Sequence, residues 1–241
     1  MAAEEYASVW TRPKRKRREQ PALSQEQIVA EAIKLLDAEG LEALSMRKLG
    51  AALGAVATAV YWHVANKEEL IELVVDQVYG EIEVPEVTSP DEWRAAAEAC
   101  AESFRGVILQ HPWMGSTLAE VGLTYLGPNM MRVSDRMLAL YEGGGFSLLE
   151  ANQAATTVAS YVLGVASTEA ATLTKLARSG LTAEDWMTKV WPAAEQAAQD
   201  YPRMKELYAA HRGHDIVGGS EDDFKYGLAR VLDGLESRRE R

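Results

Sequence analysis

Residues 45–67, SMRKLGAALGAVATAVYWHVANK, decide how the whole chain is read. Met46, Leu49, Ala52 and Leu53 recur at helical spacing behind Ser45, whose hydroxyl suits the first position outside a helix. Gly54 interrupts the pattern. A second short segment runs from about Ala57 to His63, with Val60 and Val64 as its inward contacts. Asn66 and Lys67 then open a longer helix, with Glu69 three residues past the cap. Two short helices joined by a tight glycine-containing turn make a helix-turn-helix, whose second helix can enter the major groove of DNA.

That arrangement turns Ala57, Thr58, Tyr61 and Trp62 outward. The second helix has no Arg, Gln or Asn to read base edges bidentately. Discrimination therefore falls to Arg47 reaching a guanine, to Thr58 and methyl contacts with thymine, and to an arm in the minor groove. Ser45 joins Arg47 at the start of the first helix of the pair. Tyr61, His63 and Lys67 position phosphates, Lys67 beside the free amides of a helix N-terminus. The competing reading, two ordinary amphipathic helices in a bundle, leaves Tyr61 and Trp62 exposed together for no reason.

Toward the N-terminus, Arg12, Lys14, Arg15, Lys16, Arg17 and Arg18 crowd around Pro13. Such a block repels itself, so residues 1–23 are expected to be disordered until a polyanion neutralises them. Arg15, Arg17 and Arg18 are the arm's candidate DNA contacts, with affinity falling steeply in salt; a solubilising tail is the alternative. Net charge is −11, which alone argues against nucleic acid, but residues 1–67 hold 10 Lys and Arg against 8 Asp and Glu, and the remainder 15 against 28. One end faces phosphate and the acidic body is repelled by it. Ser24-Gln25-Glu26-Gln27 is a capping box opening the first helix, which carries Ile28, Val29, Ala32, Ile33, Leu35 and Leu36 and stops at Gly40.

Toward the C-terminus, Leu70, Ile71, Val74, Val75, Val78 and Ile82 give a fourth helix, about 66–84, ended by Pro85 and Pro90. It is a lever between a DNA-binding domain at 24–69 and a body at 70–241. From Asp91 onward every signal is helical: Trp93 to Gln110, a break at His111-Pro112-Trp113, a piece to about Tyr125, and a helix opened by Gly127-Pro128-Asn129 and running to Tyr141. Residues 147–177 form the longest helix, others start near Thr182 and after Pro202, and the last carries Phe224, Leu228, Val231 and Leu235. No alternation of period two is long enough for a strand, so the fold class is all-α. Phe104, Ile108, Trp113, Met114, Met130, Met131, Met137, Tyr161, Val165 and Trp186 are the candidates for an apolar ligand cavity with a few polar handles, plain core being the alternative.

With 47% hydrophobic residues in 241, the chain can fill a core. It has neither an apolar run long enough for a membrane span nor a signal-peptide pattern, so a cytoplasmic location without membrane contact is expected. The single Cys100 excludes internal disulfides and cysteine-rich zinc sites. No glycine-rich phosphate loop or nucleophile elbow occurs, and the one metal-like pattern, His211-x-x-His214-Asp215, lies among glycines. Neither catalysis nor a cofactor or metal is expected.

Residues 23–76 resemble the N-terminal domain of the tetracycline-repressor family, through Leu53-Gly54, Tyr61-Trp62-His63 and Asn66-Lys67-Glu68-Glu69-Leu70. The body is similar to the C-terminal domain of the subgroup containing the tetracycline repressor, through His111-Pro112-Trp113, Gly127-Pro128-Asn129 and the SYVLG run at 160–164. The resemblance implies a repressor of transcription that binds a palindromic operator in double-stranded DNA. It implies a homodimer held by a four-helix bundle of helices 147–177 and 221–237. It also implies a small-molecule effector whose pocket in the body swings the fourth helix and changes the separation of two reading heads, about 35 Å apart on two half-sites. A ligand does this only by binding the two states unequally. The chain departs from the family at Val56, often Ser as recognition-helix cap, and at Ala59, often Ser or Thr. The histidines do not match a magnesium–tetracycline site in spacing. A regulator controlled by a protein partner, and a helical enzyme or ligand carrier that kept the small domain, are the competing classes.

Overall fold

The computed structural model describes residues 23–121, 127–211 and 220–239. Helix α1 (Gln25–Glu39) starts at a closed capping box: the Gln27 amide donates to the Ser24 hydroxyl at 3.2 Å, and the Ser24 amide donates to the Gln27 side chain at 2.9 Å. Gly40, at φ 81°, ends it, and a 3-10 turn at Leu41–Ala43 leads to α2 (Met46–Ala52), α3 (Ala57–Tyr61) and α4 (Lys67–Tyr79). Ile28, Leu36, Leu49, Val60, Val64, Leu70 and Val74 are fully buried together and form the core of this unit. Each such side chain contributes roughly 1.5–3 kcal/mol, enough to hold helices this short, which have no stability alone.

The body consists of α5 (Trp93–Gln110), α6 (Trp113–Val121), α7 (Pro128–Gly143), α8 (Leu148–Ser179), α9 (Ala183–Ala197), α10 (Pro202–Ala210) and α11 (Ser220–Arg239). Helix α8 is its axis. It buries Ala151, Ala154, Val158, Val162, Ala166 and Ala170, one stripe of small residues against which α5, α6, α7 and α11 pack closely. Trp93, Tyr141 and Phe146 close one end edge-to-face, with Trp93 and Phe146 centroids 5.1 Å apart. Helix α4 lies against α1 on one side and α7 on the other. Among the described residues there is no strand, and no helix is long and apolar enough to cross a membrane.

The all-α expectation holds, with four local corrections. The fourth helix ends at Tyr79 rather than near residue 84, because the chain at Gly80 must pass the start of α7: a Cβ there would lie 2.9 Å from Asn129 Cγ, and Arg132 takes the Gly80 carbonyl at 3.3 Å. Ile82 and Val84 remain buried on the extended segment beyond. The recognition helix is regular only to Tyr61, and His63 continues it with a tighter bond to the Val60 carbonyl at 2.9 Å. Ala52 faces solvent, and in α11 it is Leu232, with Phe224 and Leu228, that is buried, while Val231 and Leu235 are partly so.

Candidate nucleic-acid interface

The α2–α3 pair is set by two glycines. Gly54 takes φ +64°, open to glycine without strain. At Gly50 a Cβ would meet the Ala55 carbonyl at 3.0 Å and the Ala57 nitrogen at 3.1 Å, so its absence lets α3 start against α2. Val60 and Val64, wholly buried, then fix which face of α3 points out. That face presents Thr58, Tyr61 and Trp62, the last 74% exposed, with Val56 at 70% and Ala57 half-buried. Arg47, in the first turn of α2, is exposed, while Lys48 is drawn back into an ion pair with Glu39. An indole in water on the same short helix as two exposed hydroxyls is costly to leave uncovered and well suited to a nucleic-acid groove.

Caps on either side hold this face rigid. The Ser45 hydroxyl accepts from the Lys48 amide at 3.2 Å, and Asn66 Oδ1 from the Glu69 amide at 2.7 Å. The buried Glu69 carboxylate reaches back to the Ala65 amide at 2.8 Å, one residue before the expected partner. Val56, as foreseen, offers α3 no side-chain cap. His63 is half-buried, and the Lys67 ammonium donates to the Leu41 carbonyl at 3.2 Å, tying the start of α4 to the turn after α1. Arg15, Arg17 and Arg18 lie outside the described residues.

In the body, Phe104 and Met137 line a small, partly open cavity of about 20 Å³ with Cys100, Tyr141 and Val158, room for one water at most. Burial pushes the Cys100 thiol up to about 11, the Tyr141 hydroxyl well above its ordinary value and the Tyr79 hydroxyl above its own. Ile108, Trp113 and Met114 are buried elsewhere in the core, Met130 and Val165 pack at its edge, and Met131 is exposed. Tyr161 stacks on Phe224 and donates to its carbonyl at 2.9 Å, fitting α11 against α8 through Gly227. The side chain of Trp186, on α9, lies outside the described ones, as do His214 and Asp215. His211 donates to the Leu207 carbonyl at 2.8 Å. No cluster of His, Cys, Asp and Glu suited to a metal occurs among the described residues.

One coupling element had no signal in the sequence. The buried carboxylate of Asp76, on α4, accepts from the Met130 amide at 2.9 Å, the Asn129 side chain at 3.1 Å and the Asn129 amide at 3.3 Å, so it caps α7 from another helix. Gly127 makes room, since a Cβ there would lie 2.0 Å from Asp76 Oδ1. Only the Gly127-Pro128-Asn129 half of this contact stood out as a motif.

Comparison with known proteins matches both parts. The family model described as bacterial regulatory proteins, tetR family, matches residues 28–74, and that described as tetracyclin repressor-like, C-terminal domain, matches residues 85–239. An HTH-type transcriptional regulator of Saccharopolyspora erythraea is 38% identical over 67% of either chain. The HTH-type transcriptional repressor DrrR1 of Streptomyces coeruleorubidus is 35% identical over 90% of this chain and 78% of its own. The solved structure of the TetR family protein ActR of Streptomyces coelicolor in complex with actinorhodin is 29% identical, covers 92% of this chain and all of its own, and superposes with a TM-score of 0.73. The chain belongs to the tetR family, and it is a transcriptional regulator that binds DNA through its helix-turn-helix.

Proposed function

We propose that this protein is a ligand-responsive repressor: a cytoplasmic homodimer that holds a palindromic operator and is released by a small apolar or amphipathic molecule. The outward set of Thr58, Tyr61 and Trp62, held by the buried Val60 and Val64, carries the reading. Arg47 and Thr58 contact bases, Ser45, Tyr61, His63 and Lys67 contact backbone, and Arg15, Arg17 and Arg18 track the minor groove. Residues 24–69 act as the reading head, and residues 70–241 as the dimerising, ligand-binding body. Helices α8 and α11 pair with their counterparts, supported by Leu149, 76% exposed on α8, and Tyr226, 68% exposed on α11. Effector binding is supported by ActR, solved with actinorhodin.

A second reading has its own support. The cavity of about 20 Å³ holds no drug-sized molecule, so a small effector would need the open cleft along Ser167, Thr168, Ala171, Thr172 and Lys175, and the alternative is a regulator controlled by a protein partner. A thermal-shift screen with amphipathic aromatic compounds separates the two: stabilisation of several degrees accompanied by loss of DNA binding supports the ligand-responsive form, and none across a broad set supports the second. For the DNA face, Trp62→Ala and Arg47→Ala are each expected to weaken a gel shift on DNA upstream of the protein's own gene about tenfold, with melting temperature unchanged. Unaltered binding in both would refute the assignment.

A further inference from the structure

We propose that the corner joining α5 to α6 is a polar latch on the last turn of α1, and that this latch sets the tilt of the DNA-binding unit against the body. Asp37 lies in that turn. Its Oδ1 accepts from the indole N–H of Trp113 at 2.7 Å and from His111 Nδ1 at 2.7 Å. His111 Nε2 faces in turn a carboxylate oxygen of Glu81, two residues past the end of α4, at 3.2 Å. The two rings stand edge-to-face with centroids 6.1 Å apart, and the histidine is 3% exposed. Four side chains from the end of α1, the end of α4 and the α5–α6 corner therefore meet at one point.

The chemistry of the point is what makes it a latch. An ionised carboxylate only accepts, so a ring proton of His111 is donated toward the carboxylate it faces, and the ring is oriented from two sides. With the His111 ring buried and each of its nitrogens facing one carboxylate oxygen, these bonds are directional and are either made or broken. Apolar contacts, by contrast, slide. On the body side, α5 supplies Cys100 and Phe104 to the small cavity, so any widening of that core displaces the helix whose end carries His111. On the DNA side, α1 passes through Gly40 and the 3-10 turn to the Ser45 cap of α2, and Lys67 ties that turn to α4. A shift at the corner is thus delivered to both ends of the helix-turn-helix.

The latch's geometry is independent of the regulatory reading, but its consequence for DNA rests on that reading, so the test does not begin with DNA. Spin labels are placed at Thr58→Cys and Gln153→Cys in the full chain, diluted with unlabelled protein, and their distance distribution is recorded without ligand. Cys100 is buried and stays unlabelled. Trp113→Phe keeps the aromatic packing and removes one donor; Asp37→Asn removes the charge. The expected result is one narrow distance in the otherwise unaltered protein, and a shifted or clearly broadened one in both latch variants, with melting temperatures high enough that the fold is intact. Should Asp37→Asn fail to fold, Trp113→Phe decides. An unchanged distribution would overturn the proposal. On DNA, the same variants are expected to lose affinity about tenfold, and unchanged affinity despite a shifted distance would overturn the claim that the latch sets a functional tilt. If the unmodified protein binds no DNA, the regulatory reading fails while the distance result still judges the latch.

Discussion

Replacing Asp76 by alanine tests how the connector helix is seated. The change removes the acceptor of two backbone amides and one side-chain amide at the start of α7, in a site where the carboxylate is only 4% exposed. Each buried amide left unsatisfied costs about 1–3 kcal/mol, and the helix also loses a negative charge at the positive end of its dipole. Water entering from the half-exposed side of Asn129 relieves part of this, so the expected loss is about 3 kcal/mol, or roughly 6–12 °C in melting temperature at this chain length. Asp76→Asn keeps an acceptor and should lose roughly half as much. Gly127→Ala attacks the same contact from the other side, so the double variant should cost clearly less than the sum of the two. Thermal and urea unfolding measure all of these, and DNA titration reads the consequence: α4 loosened from α7 should hold the reading heads less well. If Asp76→Ala unfolds within about 0.5 kcal/mol of the unaltered protein, the cap contributes nothing and the argument fails.

Other outcomes follow from single observations. Deleting residues 1–20 should lower operator affinity at least tenfold at physiological salt and flatten its salt dependence; equal slopes in a salt series would contradict a role for the arm. Leu149→Glu with Tyr226→Glu should shift the protein from dimer to monomer in sedimentation, without loss of helical signal; a persisting dimer would place the interface elsewhere. The Cys100 thiol, pushed by burial from 9.0 to about 11, should be about one part in a thousand thiolate at pH 8 and react with thiol reagents only on unfolding. The same shift makes the folded state hold its proton longer than the unfolded one. Stability should therefore fall as pH rises from about 9 to 11, by about 2–3 kcal/mol from this group, with Tyr79 and Tyr141 acting in the same direction. Cys100→Ala should reduce that alkaline loss, as urea melts at pH 7 and pH 10 would reveal.

Where sequence reading succeeded, the relevant physics is local. Ser24 with Gln27, Ser45, Asn66 and the glycine at 54 act within a few residues of themselves, and their bonds lie where the spacing put them. Proline and glycine punctuation placed the body helices for the same reason. What escaped is long-range. Asp76 looks like one more polar residue on an exposed face until α7, 53 residues on, brings its amides to it. Asp37 likewise gives no hint that His111 and Trp113 will converge on it. The apolar stripe through Ile82 carries the expected α4 on toward Pro85, whereas the helix stops where the Asn129 side chain of α7 crowds Gly80. For the ligand candidates, composition picks out apolar bulk, but whether bulk encloses space depends on packing between helices, and of the described members of that set only Phe104 and Met137 border the small cavity.

The central claim, two reading heads on one paired body, is tested most directly by weighing the complex. Labelled duplex from upstream of the protein's own gene is titrated in 50 and 200 mM salt, and the mass of the bound species is determined by sedimentation. The account expects tight binding that weakens steeply with salt and an even number of chains per duplex. A single chain on the DNA, or no binding in dilute salt, would contradict it.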